Sequence, residues 1–65
     1  DFDRALEVDA AQAEALVNRG IILFREGKAV EALADLNAGI ALGPERPERA
    51  YYSRGQVRED LRHAA

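Results

Sequence analysis

Apolar positions fall into two helical runs separated by a glycine. Between Ala13 and Glu26, Leu16 and Leu23 recur around the small Gly20 at spacings of four and three, the repeat of one face of a 3.6-residue helix. Gly27 follows in Glu26-Gly27-Lys28, and a residue without Cβ takes the left-handed conformation that ends a helix at little steric cost. The period resumes from Ala29 with Leu33, Leu36 and Ile40 and stops at Gly43-Pro44, because proline lacks the amide hydrogen that another turn needs. Pro47 is placed to open a third helix, at the position where its missing amide hydrogen costs nothing. A glycine inside a helix costs roughly 1 kcal/mol relative to alanine, so Gly20 points to close packing, with Ala32 as the opposing small residue. Leu16, Leu23, Leu33, Leu36 and Ile40 then fill the space around the crossing. The pattern predicts a helix, a tight turn and a helix.

The chain also repeats itself. Val17-Asn18-Arg19-Gly20 returns as Tyr52-Ser53-Arg54-Gly55, 35 residues on, and residues 1–8 are echoed 34 residues on by Asp35-Leu36-Asn37-Ala38-Gly39-Ile40-Ala41-Leu42. That period is the mark of a helical repeat array, in which each unit buries its apolar face against its neighbours. Residues 1–12 are expected to be the end of the second helix of a preceding unit, with Phe2, Leu6 and Val8 standing where Leu36, Ile40 and Leu42 stand later. Residues 13–46 form one full unit. Residues 47–65 begin the next, with Tyr51, Tyr52 and Gly55 standing for Leu16, Val17 and Gly20. The difference between the offsets fits a one-residue insertion in the Pro-Glu-Arg duplication of residues 44–49. Residue 1 falls inside the helical pattern and the chain has no methionine, so it reads as an excerpt of a longer protein.

Composition narrows the chemistry. At 65 residues, folding buries only about 60% of the surface of the unfolded chain, and small domains add staples or association. Cysteine is absent and His63 is the single histidine, so neither a disulfide nor a nitrogen–sulfur zinc cluster is expected. Neighbouring repeats or a second copy are left as the source of extra contact. No apolar run approaches the roughly 20 residues that cross a bilayer, and no targeting pattern opens the chain. Twelve carboxylates against nine basic side chains oppose attraction to phosphate backbones and anionic lipid. The expectation is a cytoplasmic chain with no membrane, nucleic-acid, metal or cofactor partner.

Leu16, Asn18, Gly20, Leu23, Phe24, Gly27, Glu31-Ala32, Leu36 and Gly43-Pro44 resemble, in order and spacing, the tetratricopeptide repeat. The resemblance covers nearly the whole chain and implies an all-α fold: antiparallel helix-turn-helix repeats stacked as a fragment of a right-handed α-solenoid. It departs from the family at several places. Gly39 stands where alanine is usual, Leu16 replaces a common tryptophan, and Ala10 replaces the proline that separates repeats. Arg58 takes a tyrosine position, and Arg62 falls where the glycine between helices is expected, so the last unit either turns differently or stays helical.

The family's first helices line a concave face that grips a peptide or a partner helix. Helical geometry gives a list independently. If Leu16, Gly20 and Leu23 face the partner helix, the 100° step per residue turns Glu14, Val17, Ile21, Phe24 and Arg25 to another face, with Asn18 at its margin. The matching residues in the next unit are Arg49, Tyr52, Gln56, Glu59 and, marginally, Ser53. Apolar anchors beside amide and guanidinium donors suit a peptide, and the resemblance implies Asn18 for recognition of its backbone. The competing expectation is that Val17, Ile21 and Phe24 pack against adjacent repeats or another subunit. The function expected is a protein-interaction module or scaffold; the alternative is a structural spacer or self-associating segment without its own ligand.

Other chemistries find less support. Arg54, Arg58 and Arg62 recur at four-residue spacing, but Glu48, Glu59 and Asp60 make the region a salt-bridged solvated face rather than a phosphate site. The helix from Ala29 to Leu42 carries Glu31 and Asp35 and no arginine, unlike a DNA-reading helix. No catalytic motif accompanies His63 or Ser53. Glu59 and Asp60 project about 100° apart, so they cannot act as a dyad. No enzyme activity is expected.

Overall fold

The computed structural model describes the backbone of residues 2–63 and the side chains of residues 9–63. Three helices account for most of it: α1 (Phe2–Arg25), α2 (Ala29–Leu42) and α3 (Pro47–His63), with no strand among the described residues. α2 packs against both α1 and α3, which scarcely meet each other. The two connections do what their sequences require. Gly27 adopts φ +83, letting the Gly27 amide donate to the Phe24 carbonyl at 3.0 Å and the Lys28 amide to Leu23 at 2.9 Å. These bonds satisfy carbonyls that the end of α1 would leave unpaired. Gly43 at φ 81 closes α2 in the same way, its amide donating to the Ile40 carbonyl at 3.1 Å.

The first helix is longer than the repeat pattern implies. A break was expected before Ala13, yet α1 runs without interruption from Phe2 to Arg25. The segment Ala10-Ala11-Gln12-Ala13 supplies strong helix formers and no proline or glycine to stop the chain. The expected equivalence of Phe2, Leu6 and Val8 with Leu36, Ile40 and Leu42 concerns side chains outside the described residues. At the other end α3 continues through Arg62, where no glycine is available to take a positive φ.

The α1–α2 crossing is built from two glycines that approach the opposite helix. A methyl group on Gly20 would lie 2.8 Å from Leu36 Cγ and 3.1 Å from the Ala32 carbonyl oxygen. One on Gly39 would lie 3.0 Å from both the Ala13 carbonyl oxygen and Val17 Cγ2. Gly20 thus meets residues 32–36 while Gly39 meets residues 13–17, which makes the pair antiparallel. Val17, Ala32 and Leu36 are buried there together with Ala50 and Val57 of α3. Leu23, Phe24, Leu33, Ile40 and Leu61 pack around them. α3 turns Ala50, Ser53 and Val57 inward, an i, i+3, i+7 stripe. No buried side-chain nitrogen or oxygen among the described residues lacks a hydrogen-bond partner.

The two internal glycines of α1 and α3 therefore differ, although the repeat aligns them. Gly20 is clamped, whereas a methyl group on Gly55 would meet nothing within 4 Å. Gly20→Ala is expected to destabilise the chain by about 1–2 kcal/mol net, overpacking outweighing the gain in helix propensity. Gly55→Ala is expected to stabilise it by up to about 1 kcal/mol. Thermal unfolding followed by circular dichroism reads both, and equal effects of the two substitutions would contradict this packing.

Candidate functional site

Because α2 separates α1 from α3 on one side, the outer edges of those helices face each other across an open cleft. Its deeper part, about 420 Å³, is lined by Ile21, Phe24 and Arg25 of α1, by Leu36 of α2, and by Arg49, Tyr52, Ser53, Gln56 and Val57 of α3. A shallower depression of about 740 Å³ continues from it, sharing Phe24, Tyr52 and Gln56 and reaching Gly55, Glu59, Asp60 and His63. Phe24 and Tyr52 are thus the apolar centre of one continuous surface. Tyr52 is 69% exposed, and its hydroxyl accepts a hydrogen bond from Gln56 Nε2 at 3.2 Å, one turn along α3.

The cleft is electrostatically graded. Arg25 and Arg49 line the deeper part, and neither makes an ion pair among the described residues. At the far end Glu59 is engaged by Arg62 at 3.5 Å and by His63 Nε2 at 3.2 Å. Two guanidinium groups beside an apolar floor provide donors for carboxylates or peptide carbonyls and a surface for a bulky side chain. No group of three or more metal-ligating side chains is found among the described residues.

The residues named from the sequence separate into distinct places. Ile21, Phe24, Arg25, Arg49, Tyr52 and Gln56 come together in the cleft. Asn18 is exposed on α1 outside the cleft lining, and Glu14 lies in a separate depression with Ala10, Ala11 and Glu45. Val17 must be corrected: it is 2% exposed and belongs to the core. The cause is the close approach at Gly39, where a Cβ would lie 3.0 Å from Val17 Cγ2, so that α2 covers Val17. Ser53, placed at the margin of this face from the sequence, lines the cleft, and Leu36 and Val57 supply part of its wall and were not anticipated there. The i, i+3, i+7 spacing of Ala50, Ser53 and Val57 is the signal that would have placed α3's inward face.

A second electrostatic feature joins α1 and α2. Arg19 grips Asp35 with two parallel hydrogen bonds, one from Nε to Oδ2 and one from Nη2 to Oδ1 at 2.9 Å. The hydrogen bond from Arg19 holds the Asp35 carboxyl below its usual range, with partial burial pulling the other way and the guanidinium charge adding to the lowering. The same hydrogen bond and the carboxylate charge raise Arg19. Arg54, at the corresponding place in α3, instead donates to Asn37 Oδ1 at 3.2 Å and lies 5.0 Å from the centre of the Tyr51 ring.

Comparison with known proteins gives no family model, no curated protein and no solved structure that matches this chain. No helix among the described residues is long and apolar enough to cross a membrane.

The Arg19–Asp35 pair makes stability depend on pH. The folded chain binds the Asp35 proton less readily than the unfolded chain, so the pair's contribution is complete above the unfolded carboxyl's pKa of about 3.9. It is lost as pH falls through the lower folded value. Asp35→Asn is expected to lower Tm at pH 7, with the difference from the native chain shrinking as pH is lowered from about 4. A difference that grows on acidification would contradict the assignment.

Proposed function

We propose that the chain is a protein-interaction module of tetratricopeptide type, a piece of an α-solenoid that holds an extended peptide or partner segment in the cleft between α1 and α3. The observation that carries this reading is the convergence of Phe24 and Tyr52 with Arg25 and Arg49, which make no ion pair among the described residues, on one open surface. Phe24 and Tyr52 take a bulky apolar side chain, the kind of central contact that dominates binding energy. Arg25, Arg49 and Gln56 bond the carbonyls or carboxylates beside it. Asn18, three residues before Ile21 and seven before Arg25, continues the same face of α1 and donates to the ligand's backbone. No catalytic step is assigned to the module.

A spacer or self-associating role without a ligand is the competing reading, favoured by the burial of Val17 in the core rather than on the binding face. The two are separated by selecting binders from a random displayed peptide library and measuring their affinity for variants. Asn18→Ala, Ile21→Ala and Arg25→Ala are each expected to weaken a selected peptide by about 1–3 kcal/mol, roughly fivefold to a hundredfold, with helical circular dichroism unchanged. Binding that survives all three substitutions would sink the cleft reading.

A further inference from the structure

The cleft carries opposite charges on the two sides of its aromatic centre. Arg25 and Arg49 line the deeper part, Glu59 and Asp60 line the shallower continuation, and Phe24 and Tyr52 belong to both. These charges are not equally available. Glu59 is engaged by Arg62 and His63, whereas Arg25, Arg49 and Asp60 are exposed and make no ion pair among the described residues. Asp60 follows Arg25 at the offset that relates Arg54 to Arg19, so α3 carries a carboxylate where α1 carries a guanidinium. Helix geometry fixes the spacing along α3. Arg49 precedes Tyr52 by about 4.5 Å and Asp60 follows it by about 12 Å, while an extended chain advances about 3.3 Å per residue.

We infer that the cleft selects a bipolar extended segment: a bulky apolar residue with a carboxylate about one or two positions to one side and a lysine or arginine about three or four positions to the other. This specificity rests on the cleft being a peptide site and adds the charge order of its ligand. The bulky side chain sits on Phe24 and Tyr52, the carboxylate meets Arg25 and Arg49, and the cation meets Asp60. Both walls of the site are present, since Phe24 of α1 borders the shallower part as well as the deeper one. A segment acidic on both sides sets a carboxylate against Asp60, and one basic on both sides sets a cation against the two arginines. Like charges therefore reject both alternatives and fix the register of the segment that fits.

The probe is a displayed library of peptides reaching about eight positions to either side of a fixed tryptophan, with all other positions random. It is selected in parallel on the native chain, on Arg49→Glu and on Asp60→Lys. Both positions are exposed, and an acid near the start and a base near the end of α3 suit the helix dipole, so helical circular dichroism is expected to be unchanged. The native chain is expected to return a carboxylate near the tryptophan on one side and a cation farther away on the other. On Asp60→Lys the distant cation is expected to give way to a carboxylate, and on Arg49→Glu the near carboxylate is expected to be lost with the cation kept. A peptide selected on the native chain is expected to bind Asp60→Lys at least about fivefold more weakly at low ionic strength. Three results overturn the bipolar segment and leave the peptide cleft standing if Ile21→Ala still weakens the selected peptides. These are carboxylates on both sides, a distant cation retained on Asp60→Lys, and charges about seven or eight positions from the tryptophan, the spacing of a bound helix. Selected peptides that bind regardless of Asn18→Ala, Ile21→Ala and Arg25→Ala overturn the cleft and the bipolar segment together.

Discussion

Everything in this small fold depends on how closely α1 and α2 approach, and that approach is set by hydrogen atoms standing where side chains would be. Gly20 lies against Leu36 and the Ala32 backbone, and Gly39 lies against Val17 and the Ala13 backbone. Each glycine gives up helix propensity, and the close crossing brings Leu36 and Val17 to complete burial beside it. Leu36 then serves two interfaces, since the same side chain meets α1 and forms the floor of the cleft beside α3. Position of the cleft and stability of the hairpin are therefore consequences of one contact.

The described chain has an unequal distribution of polar partners that follows from this geometry. Across the crossing, Arg19 and Asp35 form a two-bonded pair. Along the last turns of α3, Glu59 gathers Arg62 and His63. Arg25 and Arg49 stand apart from both, on the side where α1 and α3 diverge around α2. The deeper end of the cleft is basic and aromatic, in a chain whose net charge is -3.

The helix limits were legible because their signals are local. Gly27, Gly43-Pro44 and Pro47 each act on their own backbone, and α1, α2 and α3 end or begin within two residues of them. Facing was less legible because it depends on the opposite helix. Assigning Leu16, Gly20 and Leu23 to the interface left Val17 outside it, and only the close approach at Gly39 brings Val17 in. The repeat alignment likewise equated Tyr51 and Tyr52 with Leu16 and Val17, but α3 turns Ala50, Ser53 and Val57 inward, and both tyrosines stay exposed. The break expected before Ala13 rested on the resemblance alone, and with Ala10-Ala11-Gln12-Ala13 there and no proline or glycine to stop it, the helix carries through.

The account stands on the glycine crossing, and through-space proton contacts measured by nuclear Overhauser spectroscopy test it most directly. It predicts contacts from the Gly20 α-protons to the Leu36 methyls and from the Gly39 α-protons to the Val17 methyls, in a chain whose Gly55 α-protons show no contact with α1 or α2. Contacts that join Val17 to the rings of Phe24 and Tyr52 in place of Gly39 would put Val17 in the cleft and contradict the packing from which the fold and the site were derived.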